Sequence, residues 1–244
     1  MQLVIDIGNT RLKAAVFEKK ELIEHFVFDL PEDLFKSDLF KTYSPQKTIV
    51  CSVVNDIEPF LAQLKDRTEL LLFTSQTPVP LKNNYQSANT LGSDRMAAAV
   101  GGNSLMPDSD ILVIDAGTCI KYNFVNSKNE YLGGGISPGL RMRFKALHTF
   151  TARLPLLEPD MDYSALVGTN THESILSGAE LGALAEVEGF IGQYLLKYPN
   201  LKVFITGGDM NFFEKRLKNT IFADQHLILK GLNAILNYNT KADH

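Results

Sequence analysis

The feature that most constrains this chain is a pattern written twice. Near the start, Val4-Ile5-Asp6-Ile7-Gly8-Asn9-Thr10 runs apolar, apolar, Asp, any residue, Gly, and soon reaches a Thr. In the middle, Val113-Ile114-Asp115-Ala116-Gly117-Thr118 does the same. Each copy is an apolar run that ends at a carboxylate and meets a turn signal. Each is followed by a second apolar run, at 12–17 and 120–125, so each predicts a strand–turn–strand hairpin. One Asp-x-Gly is common. Two, each closing a strand and opening a hairpin, predict two related halves. A joint at 101–110, marked by Gly101, Gly102 and Pro107, separates them and gives domains of residues 1–107 and 108–244.

The rest of the chain alternates between the two periodicities, which predicts an α/β protein. Strands are expected at 21–28, 47–53 and 70–74, a helix at 56–65, a loop at 77–90 and a helix at 93–100. In the second half a strand with a glycine turn is expected at 131–136. A helix follows at 138–149, with Arg141, Arg143 and Lys145 on its polar side. A long helix is expected at 171–198, because Leu176, Ala179, Ala183, Val187, Phe190 and Tyr194 recur at spacings of three and four. Gly178 and Gly182 lie on one side of it and would let another backbone approach. A strand at 203–206, the turn Gly207-Gly208-Asp209 and helices at 210–217 and 229–238 complete the pattern.

Composition removes several function classes. Hydrophobic residues are 45% and charged residues 21% of the 244, which argues against disorder and coiled coil. No apolar run approaches the ~20 residues that cross a bilayer. A net charge of −4 gives no electrostatic footprint for nucleic acid. The apolar start at 3–5 is broken at once by Asp6, so no secretory signal is expected. Cys51 and Cys119 then read as reduced thiols of a cytoplasmic protein. The five histidines are scattered, which argues against a structural zinc site.

The hairpins carry chemistry. A glycine turn exposes backbone N–H groups that form an anion-binding concavity, and Asn9 and Thr10 add side-chain donors. Asp6 at the strand end can hold Mg²⁺ directly or through water, and Lys13 can meet phosphate charge. An ordinary Asp/Asn turn would have the same residues, so the second copy is what weighs. Two such hairpins facing each other across a cleft could grip the phosphates of a nucleotide. Phosphoryl transfer needs mainly positioning and charge neutralisation. The chain has no G-x-x-x-x-G-K-[ST] loop. Gly207-Gly208-Asp209 would allow a nucleotide to approach a helix N-terminus, or would form an ordinary loop with Asp209 as cap. Gly92-Ser93-Asp94-Arg95 opens a helix, where the dipole favours an ionised carboxylate. Asp94 is the candidate general base and Arg95 a candidate anion partner, although a first-turn Asp beside a solvated Arg is also a common surface pattern.

In this order and spacing the motifs resemble type III pantothenate kinases across essentially the full length. The matching pieces are Asp6-Ile7-Gly8-Asn9-Thr10, Tyr85 ahead of Gly92-Ser93-Asp94-Arg95, Asp115-Ala116-Gly117-Thr118, Gly133-Gly134-Gly135-Ile136-Ser137-Pro138-Gly139, Gly168-Thr169-Asn170-Thr171 and Thr206-Gly207-Gly208-Asp209. The resemblance implies two ribonuclease-H-like domains of the actin/sugar-kinase kind with an interdomain nucleotide cleft. It implies ATP-dependent phosphorylation of pantothenate, the first step of coenzyme A synthesis. By the same resemblance, Asp6, Ile7, Gly8, Asn9, Thr10, Arg11, Leu12 and Lys13 would line the ATP phosphates, with Thr118 on the other side. Asp94 would accept the hydroxyl proton. Tyr85, Gly92, Ser93, Asp94, Arg95 and Thr171 would bind pantothenate. Asp115 would hold a monovalent cation, K⁺ or NH₄⁺, needed beside Mg²⁺, and the protein would be a homodimer. Cys119 stands where the family usually has a small residue such as alanine, and a buried Cys is itself small. His172 is assigned no role. A non-catalytic nucleotide-binding regulator of the same fold, or a kinase for another small molecule, are the competing readings.

Overall fold

A computed structural model describes residues 1–54 and 56–241. Twelve strands occur among the described residues: β1 (Gln2–Ile7), β2 (Leu12–Glu18), β3 (Glu21–Phe28), β4 (Lys47–Ser52), β5 (Glu69–Leu72), β6 (Lys82–Asn83), β7 (Ile111–Ala116), β8 (Cys119–Val125), β9 (Glu130–Gly133), β10 (Ile136–Pro138), β11 (Lys202–Thr206) and β12 (Phe222–Ala223). The α-helices are α1 (Asp33–Lys36), α2 (Leu39–Tyr43), α3 (Glu58–Lys65), α4 (Ser93–Leu105), α5 (Leu140–Thr149), α6 (Thr171–Leu176), α7 (Gly182–Lys197), α8 (Met210–Glu214) and α9 (Leu227–Lys241).

The chain forms two compact units. The first contains residues 1–108, 128–132 and 226–244, and the second contains 109–127 and 133–225. Their sheets repeat one plan. In the first, β3-β2-β1-β4-β5 lie side by side, with β1 antiparallel to β2, β2 antiparallel to β3, and β4 and β5 parallel to β1. In the second, β10-β8-β7-β11-β12 follow the same order and the same sequence of directions. The repeated Asp-x-Gly pattern marks the same place in both: the end of the central strand and the turn into its antiparallel neighbour.

Each unit buries its own core. Leu3, Ile5, Ile7, Leu12, Ala14 and Val16 pack with Leu34, Val50, Phe60 and Leu64 in the first. Leu112, Ile114, Ile120 and Tyr122 pack with Val187, Ile191, Ile205 and Phe212 in the second. The central strands are apolar almost throughout because both faces are covered.

The sequence reading departs from the structure in four places. The expected joint at 101–110 begins with the last turn and a half of α4, which runs to Leu105. Gly101 sits there because α9 crosses closely. A Cβ on Gly101 would lie 2.3 Å from the Leu227 carbonyl oxygen, and one on Gly231 would lie 1.9 Å from that of Ala97. This glycine-lined contact joins the C-terminal helix to the first unit, so the spatial grouping is not a simple halving at 107. Residues 128–132 join the first unit through β6, where Lys82 Nζ lies 2.8 Å from Glu130 Oε1. The long helix at 171–198 is α6, a π-helical turn at Ser177–Leu181, then α7. Gly178 and Gly182 face open space rather than a neighbouring backbone.

Candidate active site

The first unit assembles most of the expected residues at one end of its sheet. β1 ends at Asp6-Ile7, and the Gly8 N–H donates to the Arg11 carbonyl at 3.1 Å to close the turn. In register, Asp6 faces Lys13 on one side and Cys51 on the other. Cys51 Sγ lies 3.2 Å from Ser93 Oγ, which also reaches the Ser52 carbonyl at 3.5 Å. Ser93 is the first residue of α4, so these contacts fix the N-terminus of that helix beside the strand end that carries Asp6.

At that N-terminus Asp94 folds back and its Oδ1 accepts the Arg95 N–H at 2.8 Å. A Cβ on Gly92 would lie 2.5 Å from the same Oδ1, so glycine makes room for the carboxylate. The helix dipole favours an ionised group at this position. Arg95 is 5% exposed, and its guanidinium lies 5.8 Å from the Tyr85 ring centroid. Tyr85 in turn sits 6.2 Å from the Tyr131 ring. The structure thus brings together Asp6 to Lys13, Gly92 to Arg95 and Tyr85. Beside Ser93 opens a cavity of about 240 Å³, with Leu81, Leu91 and Met96 as apolar wall and Asn83 and Thr74 as polar groups.

The second unit carries the other hairpin. The Gly117 N–H donates to the Cys119 carbonyl at 3.0 Å, and Thr118 at the tip is exposed. Two glycines pack against this turn. The Gly139 N–H donates to the Thr118 carbonyl at 3.1 Å, and a Cβ there would lie 2.0 Å from the Gly117 carbonyl oxygen. Gly207 has φ of +98°, and a Cβ on it would lie 2.3 Å from the Ala116 carbonyl oxygen. Glycine is required there on both counts. The Asp209 N–H completes the link by donating to Ala116 at 2.9 Å.

Asp115 is buried at the end of β7, and its Oδ2 lies 3.0 Å from Lys121 Nζ. Asp209 is a second, half-buried carboxylate. Burial pushes its carboxyl above the usual range, and Arg141 Nη1 at 3.0 Å opposes that shift. Thr171 is exposed in the first turn of α6. Asn170 caps that helix by accepting the Glu173 N–H at 3.0 Å. Glu173 accepts from the Thr169 N–H and hydroxyl, which hold its carboxyl below the usual range.

Several polar residues escaped the sequence reading. Lys121 had a signal, because Lys13 stands at the matching place of the first hairpin. Arg143, expected on the polar side of its helix, pairs with Glu186, which also accepts from Ser137 and Tyr122. Burial raises Glu186, but those three hydrogen bonds outweigh it and hold the carboxyl below its ordinary value. Burial likewise raises the Tyr122 phenol. No local pattern announces this group, since it joins β8, β10, α5 and α7.

The residues present can be tested against the ions the resemblance implies. Mg²⁺ arrives with ATP and needs only one or two protein carboxylates, so the half-buried Asp6 at the hairpin mouth fits it. A free monovalent cation does not fit Asp115 in the same way, because a lysine ammonium already stands on its Oδ2. Among the described residues no group of three or more His, Cys, Asp or Glu forms a metal cluster.

Comparison with known proteins identifies the family. The family model for type III pantothenate kinase matches residues 2–193. A type III pantothenate kinase of Bacteroides fragilis is 48% identical over 98% of both chains, and one of Flavobacterium johnsoniae is 41% identical over the whole of both. Among solved structures, a Campylobacter jejuni protein provisionally described as a Baf family transcriptional activator superposes with a TM-score of 0.61. It is 22% identical and covers 98% of this chain and 99% of its own. A ROK family glucokinase from Streptomyces griseus superposes with a TM-score of 0.53, at 11% identity over 97% and 98% of the two chains. At those identities the structures establish the fold, which is that of the actin and sugar-kinase class.

Proposed function

The chain belongs to the type III pantothenate kinase family and phosphorylates pantothenate with ATP in coenzyme A synthesis, and from that premise we propose which of its residues do the work. Asp94 takes the proton from the primary hydroxyl of pantothenate. The hydroxyl oxygen then forms a bond to the γ-phosphorus of ATP, the bond to the bridging oxygen breaks, and ADP leaves. The observation that carries this reading is the anchoring of Asp94 by Ser93 and Cys51 to the strand end that bears Asp6. Base and phosphate hairpin are thereby parts of one rigid element pair.

Asp6, Ile7, Gly8, Asn9, Thr10, Arg11, Leu12 and Lys13 line the ATP phosphates in this reading, with Thr118 supplying a further contact. The backbone N–H groups of the glycine turn and the Lys13 ammonium offset phosphate charge. Asp6 would hold Mg²⁺, which would supply charge neutralisation for the transferring phosphoryl group. Tyr85, Gly92, Ser93, Arg95 and Thr171 bind pantothenate. That molecule joins a gem-dimethyl group to hydroxyls, an amide and a carboxylate. The cavity beside Ser93 offers both an apolar wall and hydrogen-bonding groups. Arg95, buried with its guanidinium over the Tyr85 ring, is the anion partner.

The same reading makes the protein a cytoplasmic homodimer. Phe150, Leu166 and Val167 are 85%, 79% and 75% exposed, and a second copy would cover such apolar surface. Sedimentation velocity reads this directly, and a monomer at all concentrations would remove it. Among the described residues no helix is long and apolar enough to cross a membrane.

Asp94→Asn tests the catalytic assignment. It should lower kcat by about 10²–10⁴, the scale of a positioned acid–base group, while ATP still binds. Turnover close to wild type would remove Asp94 from the role of base.

A further inference from the structure

Asp115 and Lys121 are direct register partners across the β7–β8 hairpin. Facing residues of an antiparallel pair have Cβ atoms about 5 Å apart, well within a lysine's reach. Their side chains are 10% and 24% exposed, and the Lys121 ammonium donates to Asp115 Oδ2 at 3.0 Å. On the other side of the carboxylate lies the Gly207 main chain: a Cβ on Gly207 would lie 2.7 Å from Asp115 Oδ1. A carboxylate so removed from water needs a cation or several donors. Here one of its oxygens meets an ammonium and the other lies beside the Gly207 main chain. A diffusible cation entering at Oδ2 would meet a like charge at contact distance, where repulsion is strongest.

We propose that Lys121 is a tethered cation for Asp115 and takes the place of a diffusible K⁺ or NH₄⁺ at the second hairpin. The proposal rests on the kinase reading above. An ammonium is the chemical kin of NH₄⁺, and the lysine stem delivers it without the entropy of capturing a free ion. Lys121 is a positioning residue. It neutralises Asp115, so that the hairpin carrying Thr118 presents backbone donors to the ATP phosphates without a bare negative charge behind them.

The test varies K⁺ at constant ionic strength, with tetramethylammonium as the replacement cation. Turnover is followed by ADP release with ATP, Mg²⁺ and pantothenate. Wild type should change by less than about 2-fold, far below the tenfold that 1.4 kcal/mol represents. Lys121→Met without K⁺ should lose about 10²-fold in kcat, the scale of one preorganised charge, and K⁺ or NH₄⁺ should restore much of it. Lys121→Arg should stay insensitive to K⁺. Melting gives a second readout that needs no turnover. K⁺ should raise the Tm of Lys121→Met and leave that of wild type unmoved, because a bound ion stabilises only the form that binds it. Stimulation of wild type by K⁺ tenfold or more, or a K⁺-dependent rise in its Tm, would overturn the proposal while leaving the kinase reading intact. Absence of turnover in every salt would count against the kinase reading, and the melting response would still decide the cation question.

Discussion

The two hairpins start from one pattern and end as different devices. In the first, four residues, Gly8 to Arg11, separate the register pair Ile7–Leu12. In the second, three residues, Gly117 to Cys119, separate Ala116 from Ile120. Both place a lysine directly opposite the strand-end aspartate, Lys13 against Asp6 and Lys121 against Asp115. In the first both partners are half-buried, the turn tip is exposed, and a Cβ on Gly8 would meet nothing closer than 3.4 Å. In the second the aspartate is buried, its lysine is bound to it, and Gly139 and Gly207 pack backbone against the turn. One extra residue and an uncrowded turn set the first hairpin apart, at the place proposed above for the ATP phosphates. The second is locked, and its fixed tip offers Thr118.

That contrast can be broken at several points. The largest effect is expected from glycine substitution in the surroundings of each turn. Gly207→Ala forces a side chain into φ +98° and against the Ala116 carbonyl. It should cost about 3 kcal/mol, combining the scales of backbone strain and overpacking. Gly8→Ala should cost less than about 1 kcal/mol. Denaturant unfolding of the pair checks this, and equal losses would remove the distinction between locked and uncrowded turns.

A smaller effect separates the lysines. Lys13→Met should raise the KM for ATP by about 10-fold, the scale of one charge-assisted hydrogen bond, without creating a response to K⁺. Steady-state kinetics in K⁺ and in tetramethylammonium reads both properties. If Lys13→Met gained the K⁺ response assigned to Lys121→Met, the two hairpins would be equivalent.

The smallest effect concerns Asp209. Burial raises its folded carboxyl above the ordinary aspartate value. A group raised in the folded state favours folding most below its unfolded pKa, and this contribution is lost as pH rises through the folded value. Asp209→Asn should therefore flatten the dependence of Tm on pH above the ordinary aspartate pKa, with Arg141 limiting the change. A Tm–pH curve unchanged from wild type would show that the carboxyl titrates normally.

Much of the plan was legible because it is local. A strand that ends in Asp-x-Gly announces its own turn, and two copies announce the repeated sheet. The register that sets Asp115 against Lys121 follows from turn length alone. What could not be read depends on distant partners. Gly101 looks like a joint in sequence because its crossing helix lies more than a hundred residues away, at Leu227 and Gly231. The residues around Glu186 come from four separate elements, so no window of sequence contains them. For the candidate site, Gly92 to Arg95 was visible as a helix start. That Ser93 is bound to Cys51, and so beside Asp6, required the parallel pairing of β1 with β4.

The central claim is that this pair of repeated hairpins serves a pantothenate kinase. Pantothenate-dependent ADP release, with mass spectrometry of the product, tests it most directly. The account predicts one ADP formed for each phosphorylated pantothenate, and negligible ADP when pantothenate is left out. ADP released at the same rate without pantothenate, or no phosphorylated pantothenate at all, would contradict it.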